Sequence, residues 1–324
     1  MMTLLNLLAI ATAATLALTP GAQAQTFPDK PIQLIIGFPP GGGVDIVARQ
    51  LADKLSEVLG QRVIVDNRAG AGGNVAMELV ARSKPDGYTL LMGNLGMLSA
   101  NPALYPKLPF DPAKDFEPIA RVVVTPLVAV VPSTLPVQNV AQLLAMARAK
   151  PGEMNFGSGG NGNINHLAGE LLKLQTDTQI QHVPYKGSAP ALTDLLGGRV
   201  QLMIDGGNVV MPQVKDGRAR AILMTGESRL ASLPDVPTAK EAGMPDFVVY
   251  GWQGVLTPTG TPSAVIDKLS RGIAQALAMP DLKARLSGQG TEPSYLGPTE
   301  FRSYIATERK RWTEVIRAAK VTID

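Results

Sequence analysis

The sequence predicts an α/β protein of two lobes, each built on a mostly parallel sheet flanked by helices. Short apolar runs alternate with amphipathic stretches, and glycine-rich loops follow the apolar runs, which is the pattern of repeated β-loop-α units. The 324 residues are enough for two domains that each bury a core. No low-complexity linker separates the units, so we expect the chain to pass between the lobes more than once.

The first units lie between residues 32 and 92. The apolar runs Ile32–Ile36, Val63–Val65 and Tyr88–Met92 predict buried strands. A helix is predicted after the first strand, because apolar residues recur on one face from 47 to 58, and another over Val75–Ala81. These alternating elements indicate that neighbouring strands run parallel.

The middle of the chain repeats this pattern and is bounded by two points where it changes. Strands are predicted at Val122–Val124, Leu127–Val131, Met154–Phe156, Ile180–Val183, Val200–Ile204 and Ala219–Met224, with helices over Val140–Lys150, after Asn163 and near Leu192–Leu196. The tail carries two amphipathic helices, near residues 266–277 and 301–316. We expect the crossings between lobes near Thr125-Pro126 and near Tyr250-Gly251-Trp252.

Composition excludes several classes of function. The net charge is only +3 and no run of five like charges occurs, so nothing favours a nucleic-acid partner. The chain has no cysteine, which excludes disulfides, thiolate catalysis, cysteine-ligated metals and lipidation on cysteine. With two histidines, His166 and His182, a histidine-rich metal site is not expected. We therefore predict no metal and no other cofactor.

Residues 1–24 have the pattern of a secretion signal. They contain no charged side chain, the apolar stretch Leu4–Leu18 is shorter than a membrane span of ~20 residues, and Ala22-Gln23-Ala24 supplies a small-x-small cleavage pattern. We expect cleavage after Ala24 and a location in the bacterial periplasm. The absence of Lys or Arg before the apolar stretch departs from the usual pattern and is compatible with a misassigned start codon; an uncleaved anchor helix is the alternative.

Four polar loops follow predicted strands, at Gly37–Gly43, Met92–Asn94, Gly157–Asn163 and Asp205–Asn208. In open α/β sheets ligands bind beyond the carboxyl ends of the strands. Free backbone N–H groups and helix N-termini in such loops attract anions. The loops contain no arginine, and only the nearby Lys186 carries a positive charge, so we expect a carboxylate to be held mainly by amide and hydroxyl donors. The alternative is that the glycines only form tight turns.

Known nucleotide and catalytic motifs fit poorly. Gly157-Ser158-Gly159-Gly160-Asn161-Gly162 matches the dinucleotide fingerprint, but the acid that follows, Asp177, precedes the strand Ile180–Val183 instead of closing it. Gly37 and Gly42 have P-loop spacing, yet Gly43-Val44 stand where Lys and Ser/Thr are required. Neither a G-x-S-x-G elbow nor an H-E-x-x-H motif occurs.

Several single residues have two interpretations that the sequence leaves open. His166, at the start of a helix, could bond a bound carboxylate or be satisfied by backbone, and His182 fits a core or edge position in an apolar strand. Asp205 could accept a hydrogen bond from a ligand, order a loop or cap the next segment. Tyr250 and Trp252 could line a cleft or pack at the crossing between lobes.

Several blocks in a fixed order carry a family resemblance. They are Phe27–Ile32, Phe38–Asp45, Asp66–Asn74, Lys84–Leu90, Val183–Gly187, Leu233–Thr238 and Ala242-Gly243. With them, essentially the whole mature chain resembles the Bug-type (TctC-like) periplasmic substrate receptors of tripartite tricarboxylate transporters.

The resemblance implies a two-lobed fold like that of type II periplasmic binding proteins, closing on its ligand like a hinge. It implies a first lobe formed by residues 25–125 and 252–324 and a second lobe formed by 126–251. It also implies that the loops Phe38–Asp45 and Gly157–Asn163 capture a small organic carboxylate, with ordered waters assisting. Such a receptor delivers its ligand to the permease subunits of a membrane transporter.

The loops and the resemblance together define one set of candidate ligand-binding residues. The set is Phe38, Pro39, Gly41, Gly42, Gly43, Asp45, Asn94, Gly157, Ser158, Gly159, Asn161, Gly162, Asn163, His166, Lys186 and Asp205.

Departures from the family pattern bear on the ligand. Gly43-Val44 stand where many relatives have a hydroxyl pair, Gly93–Leu98 is comparatively apolar, and Asp205–Asn208 differs from the more usual Asp-Asn pattern. These changes favour a mono- or dicarboxylate with an apolar or aromatic body. We expect a monomeric binding protein and not an enzyme. An exported sensor that serves a signalling partner, or an exported hydrolase that uses His166, is the alternative.

Overall fold

The computed structural model describes residues 27–230 and 232–323. The predicted signal peptide, residues 1–24, lies outside the described residues. The strands are β1 Ile32–Ile36, β2 Val63–Asn67, β3 Thr89–Asn94, β4 Phe116–Pro132, β5 Met154–Ser158, β6 Ile180–Pro184, β7 Leu202–Gly206, β8 Ala219–Met224, β9 Tyr250–Pro258 and β10 Glu292–Leu296.

Helices separate most of these strands. They are α1 Gly43–Leu59, α2 Asn74–Ala81, α3 Asn101–Leu104, α4 Val140–Ala149, α5 Ile164–Thr176, α6 Ser188–Leu196, α7 Gly207–Lys215, α8 Ser263–Ala278, α9 Pro280–Gly288 and α10 Pro298–Ala318, with a 3₁₀ turn at Ala71–Gly73 and a π-helical turn at Gly96–Ala100. In the part of the chain that is described, no helix has both the length and the apolar character needed to cross a membrane.

The first sheet has the strand order β2-β1-β3-β9-β4, with β10 on the other edge of β4. Strand β1, next to the edge strand β2, is mostly apolar and almost completely buried, and it pairs in parallel with β2 and β3. Helix α1 covers it with the buried face that includes Val47, Leu51 and Leu55. The helix ends at Gly60, whose φ of 67° is in the left-handed region that glycine adopts without strain.

The second sheet has the order β6-β5-β7-β4, with β8 on the other edge of β4. β5 pairs in parallel with β6 and β7, whereas β4 is antiparallel to both β7 and β8. Following these pairings, four of its five strands point the same way, and β4 alone is reversed. In the first sheet β9 and β10 are reversed against the other four strands. Both sheets are therefore mixed: β1, β2 and β3 pair in parallel, as do β5, β6 and β7, whereas the pairings made by β4, β9 and β10 are antiparallel.

Strand β4 belongs to both sheets. Its first part, from Phe116 to Pro126, pairs with β9, and its second part, from Leu127 to Pro132, pairs with β7 and β8. The sequence predicted two strands interrupted at Thr125-Pro126, and this was wrong, because the strand is continuous. Proline lacks only the donor and keeps a φ that is compatible with extended backbone, so it fits the point where β4 changes partners.

Helix α10 packs across the elements that bring the two sheets together. It contacts β4, α5 and the π-helical turn. Its buried face includes Phe301, Ile305 and Trp312, and Trp312 has no exposed surface. These side chains belong to one apolar core that also contains residues of both sheets, such as Leu91 and Phe156. The carboxyl ends of β1, β3 and β5 are thereby held near one another.

Candidate ligand-binding cleft

A cavity of about 250 Å³ lies where the ends of β3 and β5 meet the middle of β4 and β9. Its walls come from both sheets and from the last residues of the described chain. The lining residues are Phe38, Gly72, Asn94, Leu95, Gly96, Asn101, Leu104, Tyr105, Thr125, Asn161, Gly162, Asn163, Ile164, Gly251, Trp252, Gln253 and Ile323. This is the location that strand-end binding in open α/β sheets predicts.

The polar part of the wall is uncharged. Among the described residues, no lining side chain is an acid, a lysine or an arginine. The polar groups are the amides of Asn94, Asn101, Asn161, Asn163 and Gln253, with the hydroxyls of Thr125 and Tyr105. Each amide supplies two N–H donors and one acceptor oxygen. The wall can therefore bind a carboxylate through hydrogen bonds without an ion pair.

The remaining wall is apolar. Phe38, Leu104 and Ile164 line it together with Trp252 and Ile323. Ile323 and Leu104 also lie against the backbone at Gly162, because a Cβ built there would be 3.4 Å from Ile323 Cγ2 and 2.5 Å from Leu104 Cδ1. An apolar ligand body would contact these side chains and would gain about 25 cal/mol for each Å² of apolar surface it buries.

Hydrogen bonds to backbone fix two of the amides. Asn94 Oδ1 accepts from the N–H of Met97 at 3.0 Å, which holds the π-helical turn against the end of β3. Asn101 Nδ2 donates to Gly72 O at 3.1 Å and to Asn74 Oδ1 at 2.8 Å. Asn94 is thus held through its oxygen and presents its N–H groups, whereas both N–H groups of Asn101 are used and it presents its acceptor oxygen.

Two other amide oxygens of the wall have no hydrogen-bond partner among the described residues. They are Asn163 Oδ1 and Gln253 Oε1, and both atoms are buried. Asn163 precedes α5 with an extended backbone, but its side chain makes no capping bond. Buried polar atoms that lack partners are costly in a folded protein and are frequent at functional sites.

Trp252 is held from behind by a buried carboxylate. Its indole Nε1–H donates to Glu308 Oε2 at 3.2 Å, and Trp312 Nε1–H donates to the same oxygen at 3.1 Å. Trp252 has only 2% of its surface exposed and also lines the cavity. The sequence left open whether Trp252 lines a cleft or packs at the crossing, and the structure shows that it does both.

The first of the two glycine-rich loops, Phe38–Asp45, is anchored by charge. Asp45 is buried in the first turn of α1, and Arg49 Nε donates to its Oδ2 at 3.0 Å. The N–H of Gly41 donates to Oδ2 at 2.9 Å and Asn67 Nδ2 donates to Oδ1 at 2.9 Å. The hydrogen bond from Arg49 is the main cause that lowers the pKa of Asp45 to about 2. Asp45 thus fixes the loop and does not line the cavity.

The second glycine-rich loop, Gly157–Asn163, is anchored by two stacked histidines. The rings of His166 and His182 lie 3.6 Å apart and 6° from parallel. The N–H of Gly162 donates to His166 Nδ1 at 3.0 Å, and His182 Nε2 lies 2.7 Å from Ser158 Oγ. Burial is the main cause that lowers the pKa of His182 to about 4. Of the sequence's two interpretations of His166, satisfaction by backbone is the one observed.

Asp205 and Lys186 lie outside the cavity wall. Asp205 is buried at the end of β7, where its Oδ1 accepts from the N–H of Gly206 at 2.7 Å. Burial raises its pKa above the ordinary value for a carboxyl group. Lys186 is exposed in the loop between β6 and α6. The arrangement gives Asp205 an internal loop contact and leaves Lys186 in solvent.

The structure therefore brings together part of the predicted set. Phe38, Asn94, Asn161, Gly162 and Asn163 line the cavity. The remaining predicted residues, which do not line it, are Pro39, Gly41, Gly42, Gly43, Asp45, Gly157, Ser158, Gly159, His166, Lys186 and Asp205. The exposed residues 39–43 of the first loop lie at the surface of the protein, outside the cavity. That any of these residues contacts a ligand stays a prediction.

Sequence reasoning missed much of the wall. Asn101 and Tyr105 come from the turn and short helix after β3, and Gln253 comes from β9, which was not predicted as a strand. The alternation of residues along β9 was the available signal for Gln253. Ile323 reaches the cavity from beyond α10, and no local pattern in the sequence predicts that contact.

A second cavity, of about 440 Å³, shares no lining residue with the first. It is rich in charge, with Arg121, Arg311, Glu227, Glu292 and Glu308 among its lining residues. Most of these groups are already paired or exposed; Arg121, for example, donates to Ser294 Oγ at 2.6 Å. The cavity at the strand ends, with its convergent amides, is the better candidate for a ligand site.

Solved structures share this architecture. The chain has a TM-score of 0.81 to the R. palustris protein Rpa4515 with adipate, at 36% identity, covering 91% of this chain and 99% of that one. It has a TM-score of 0.76 to MatC from Rhodopseudomonas palustris with bound malate, at 31% identity, covering 90% of this chain and 100% of that one. The predicted α/β fold of a two-lobed periplasmic binding protein is confirmed.

The family follows from the sequence comparisons. Residues 47–321 match the family described as Tripartite tricarboxylate transporter family receptor. Protein BugT of Bordetella pertussis is 39% identical over 305 residues, which are 94% of this chain and 94% of BugT. The chain belongs to the tripartite tricarboxylate transporter receptor family, whose members are periplasmic solute-binding proteins, and the resemblance read from its motifs is confirmed.

Proposed function

We propose that this protein captures a small organic carboxylate in the cavity at the strand ends and delivers it to a tripartite tricarboxylate-type membrane transporter. The single observation that carries the proposal is the wall itself, which combines converging amide groups with apolar side chains and contains no charged residue. Neutral donors bind carboxylates through hydrogen bonds to charged oxygens, which are stronger than bonds between neutral groups. The relatives with adipate and malate support the same ligand class.

The apolar wall favours a ligand with an apolar or aromatic body. Phe38, Leu104, Ile164, Trp252 and Ile323 give such a body several contacts. A cavity of about 250 Å³ is small, since drug-sized ligands occupy pockets of about 300 Å³ or more. We therefore propose a compact mono- or dicarboxylate, in which amides hold the charged end and the apolar wall contacts the remainder.

Hinge closure is proposed at the point where β4 changes partners. We propose residues 25–125 with 252–324 as one lobe and 126–251 as the other. The change from first-sheet to second-sheet pairing between Pro126 and Leu127 supports this division. Closure would bring the exposed loop Pro39–Gly43 nearer to the ligand, and contacts made to both lobes at once would favour the closed state.

Export and partners remain proposals. We propose that residues 1–24 are a signal peptide removed after Ala24, that the mature protein is a monomer in the periplasm, and that its partners are its ligand and the permease subunits. We also propose that it is not an enzyme. A hydrolase that uses His166 is disfavoured because His166 and Ser158 are buried and do not line the cavity.

A thermal-shift panel on protein that begins at Gln25 tests the ligand class. The panel contains adipate, malate, benzoate and a longer aliphatic monocarboxylate, with the matching primary amides as uncharged controls. A ligand present at ~100 times its dissociation constant should add about 2.7 kcal/mol to the free energy of unfolding. Recovery of unchanged ligand after incubation would support binding without turnover. Stabilisation by the amides and not by the acids would contradict the proposal.

Variants locate the site. Asn161→Ala and Asn163→Ala each remove one amide from the cavity wall, and each should weaken ligand stabilisation because a hydrogen bond to a charged group contributes ~1.5–3 kcal/mol. Gln179→Ala is the matched control, because this amide is exposed between α5 and β6, outside the wall. Equal effects of the three substitutions would place the ligand elsewhere.

A further inference from the structure

The Gly157–Asn163 loop is hydrogen-bonded to two stacked histidines, and the proposed function does not explain this arrangement. Two residues of the loop, Ser158 and Gly162, bond to the stacked imidazoles of His182 and His166. Neither imidazole lines the cavity, yet Gly162 and its neighbours Asn161 and Asn163 do. The histidines therefore act on the cavity wall only through the loop backbone.

The bond from Gly162 requires one protonation state of His166. The backbone N–H of Gly162 can only donate, so His166 Nδ1 must carry a lone pair and the ring proton must be on Nε2. His166 is 95% buried, and Nε2 lies 3.7 Å from Glu170 Oε1. A second proton on this ring would go to Nδ1, where it would face the N–H of Gly162 and break the bond.

His182 supports the same loop through a hydroxyl. Its Nε2 is 2.7 Å from Ser158 Oγ, which also lies 3.2 Å from both the nitrogen and the carbonyl oxygen of Gly160. Ser158 has no exposed surface. The side chain of His182 thus reaches the backbone of Gly160 through one hydroxyl group.

The two rings cannot both be charged at low cost. They stack at 3.6 Å, and like charges at that separation repel strongly in a partly buried site. The charged or titratable groups that act on His182 are His166, Glu170 and Lys173. Glu170 and Lys173 form an ion pair at 2.8 Å on α5, and strand β5 contributes the uncharged Phe156 and Ser158 to the cluster.

We propose that His166 and His182 are a positioning pair that holds the cavity loop in its binding geometry only while Nδ1 of His166 is unprotonated, so that acidification releases the loop and weakens ligand capture. A proton on His166 removes the partner of the Gly162 N–H. A proton on His182 places a cation against the first ring. The inference concerns the loop and rests on the proposed function only for its effect on binding.

Amide hydrogen exchange on the ligand-free protein tests the pair directly. From about pH 7.5 to about pH 5, protection of the Gly162 amide, corrected for its intrinsic exchange rate, should fall about tenfold. The control amide is Gly73, which donates to Gly70 O at 2.9 Å in the 3₁₀ turn Ala71–Gly73, outside the Gly157–Asn163 loop. Protection of Gly162 that stays constant over this range, or that changes equally at Gly73, would overturn the proposal.

Two sets of variants separate positioning from ordinary packing. In H166N/H182Q, the Asn oxygen can accept from Gly162 and the Gln amide can reach Ser158, but neither side chain titrates. Protection of the Gly162 amide should then become independent of pH. In H166L the acceptor is absent, and protection should be low at every pH. A pH dependence that persists in H166N/H182Q contradicts the proposal; if that protein does not fold, H182Q alone and the wild-type profile decide.

Adipate is the probe for the effect on binding. The ratio of its dissociation constants for wild type and for H166N/H182Q is compared at the same pH, because protonation of adipate affects both equally. The ratio should rise about tenfold on acidification from about pH 7.5 to about pH 5, and a constant ratio counts against the proposal. If adipate binds neither protein, that result bears on the proposed ligand, and the amide measurement alone decides the positioning role.

Discussion

The two glycine-rich loops beside the cavity are held in different ways. The loop at Phe38–Asp45 is fixed by an ionised acid, Asp45, that bonds to Arg49 and to backbone. The loop at Gly157–Asn163 is fixed by two histidines, of which His166 must keep a lone pair on Nδ1 to accept from the N–H of Gly162. The pKa of the ionised anchor Asp45 is lowered to about 2, whereas burial lowers the pKa of His182 to about 4, so the two anchors change charge in different ranges of pH.

Because of this difference, we expect the two sides of the cavity to respond differently to acid. The first loop should keep its geometry across the whole range in which the protein is folded. The second carries three lining residues, Asn161, Gly162 and Asn163, so a change in its anchor alters the amide side of the cavity. Each of the following experiments tests one side of this comparison against the other.

The largest effect is expected from Gly162→Ala. Gly162 has a φ of 75°, and a Cβ would lie 2.5 Å from Leu104 Cδ1. Backbone strain and overlap together should lower the free energy of unfolding by about 3 kcal/mol and abolish ligand stabilisation. Gly41→Ala is the control in the first loop, because its φ is 83° but nothing lies within 4 Å; it should lose about 1 kcal/mol. Urea unfolding measures the free energy of unfolding of both variants. Equal losses in the two would show that overlap with Leu104 does not contribute.

His182 should make stability depend on pH between about 6.5 and about 4. Its pKa is lowered from 6.5 to about 4 in the folded protein, so the unfolded chain binds the proton more readily in this range. The free energy of unfolding should therefore fall as the pH falls, by about 1–2 kcal/mol once solvent access to the ring is allowed for. In His182→Gln the slope over this range should be smaller. A slope that is the same in both proteins would rule out this residue as its source.

Asp45 should act in a more acidic range and in the same direction. Its pKa is lowered from 3.8 to about 2, so its stabilising effect is complete above pH 3.8 and is lost as the pH falls toward 2. Because Arg49 is half exposed, we expect a contribution of about 1 kcal/mol. Asp45→Asn should remove this dependence while leaving the slope between pH 6.5 and 4 intact. Loss of that second slope as well would show that the two anchors are coupled.

The smallest effect is expected from Lys186→Gln. Lys186 is exposed and does not line the cavity, and the wall has no other cation among the described residues. The dissociation constant of a bound carboxylate should change by less than about twofold, and it should depend weakly on ionic strength. Isothermal titration at low and high salt measures both. A strong loss of affinity would show that closure carries Lys186 to the ligand.

The sequence was sufficient for the fold class and for the position of the candidate cavity at the strand ends. The apolar runs predicted most strands, and the strand-end rule placed Asn94 and Asn161–Asn163 near one cavity. Strand β9 was missed because its glycines and polar residues interrupt the apolar pattern at the crossing. Strand β10 was missed because it is short and only partly buried, with the pairing to β4 supplying what its own residues do not.

The roles of single residues were harder to predict than their location. Asp45 entered the candidate set through the family resemblance, and the sequence left open whether His166 bonds a ligand or is satisfied by backbone. In the structure both are turned to their own loops, and this depends on Asn67 and His182, which lie on other strands. Ile323 is near the cavity only because α10 places the end of the described chain there. Contacts of this kind depend on tertiary packing, which local patterns do not encode.

Strand β4 also bears on the order in which the protein can form. Glu292 of β10 pairs with Val124 of β4, 168 positions earlier in the chain. Pairings between such distant segments slow folding, because the entropy cost of closing a long loop comes before the stabilising contacts form. During synthesis, the first sheet lacks β10 until nearly the whole polypeptide has been made. Until then, the edge of β4 that pairs with β10 stays uncovered.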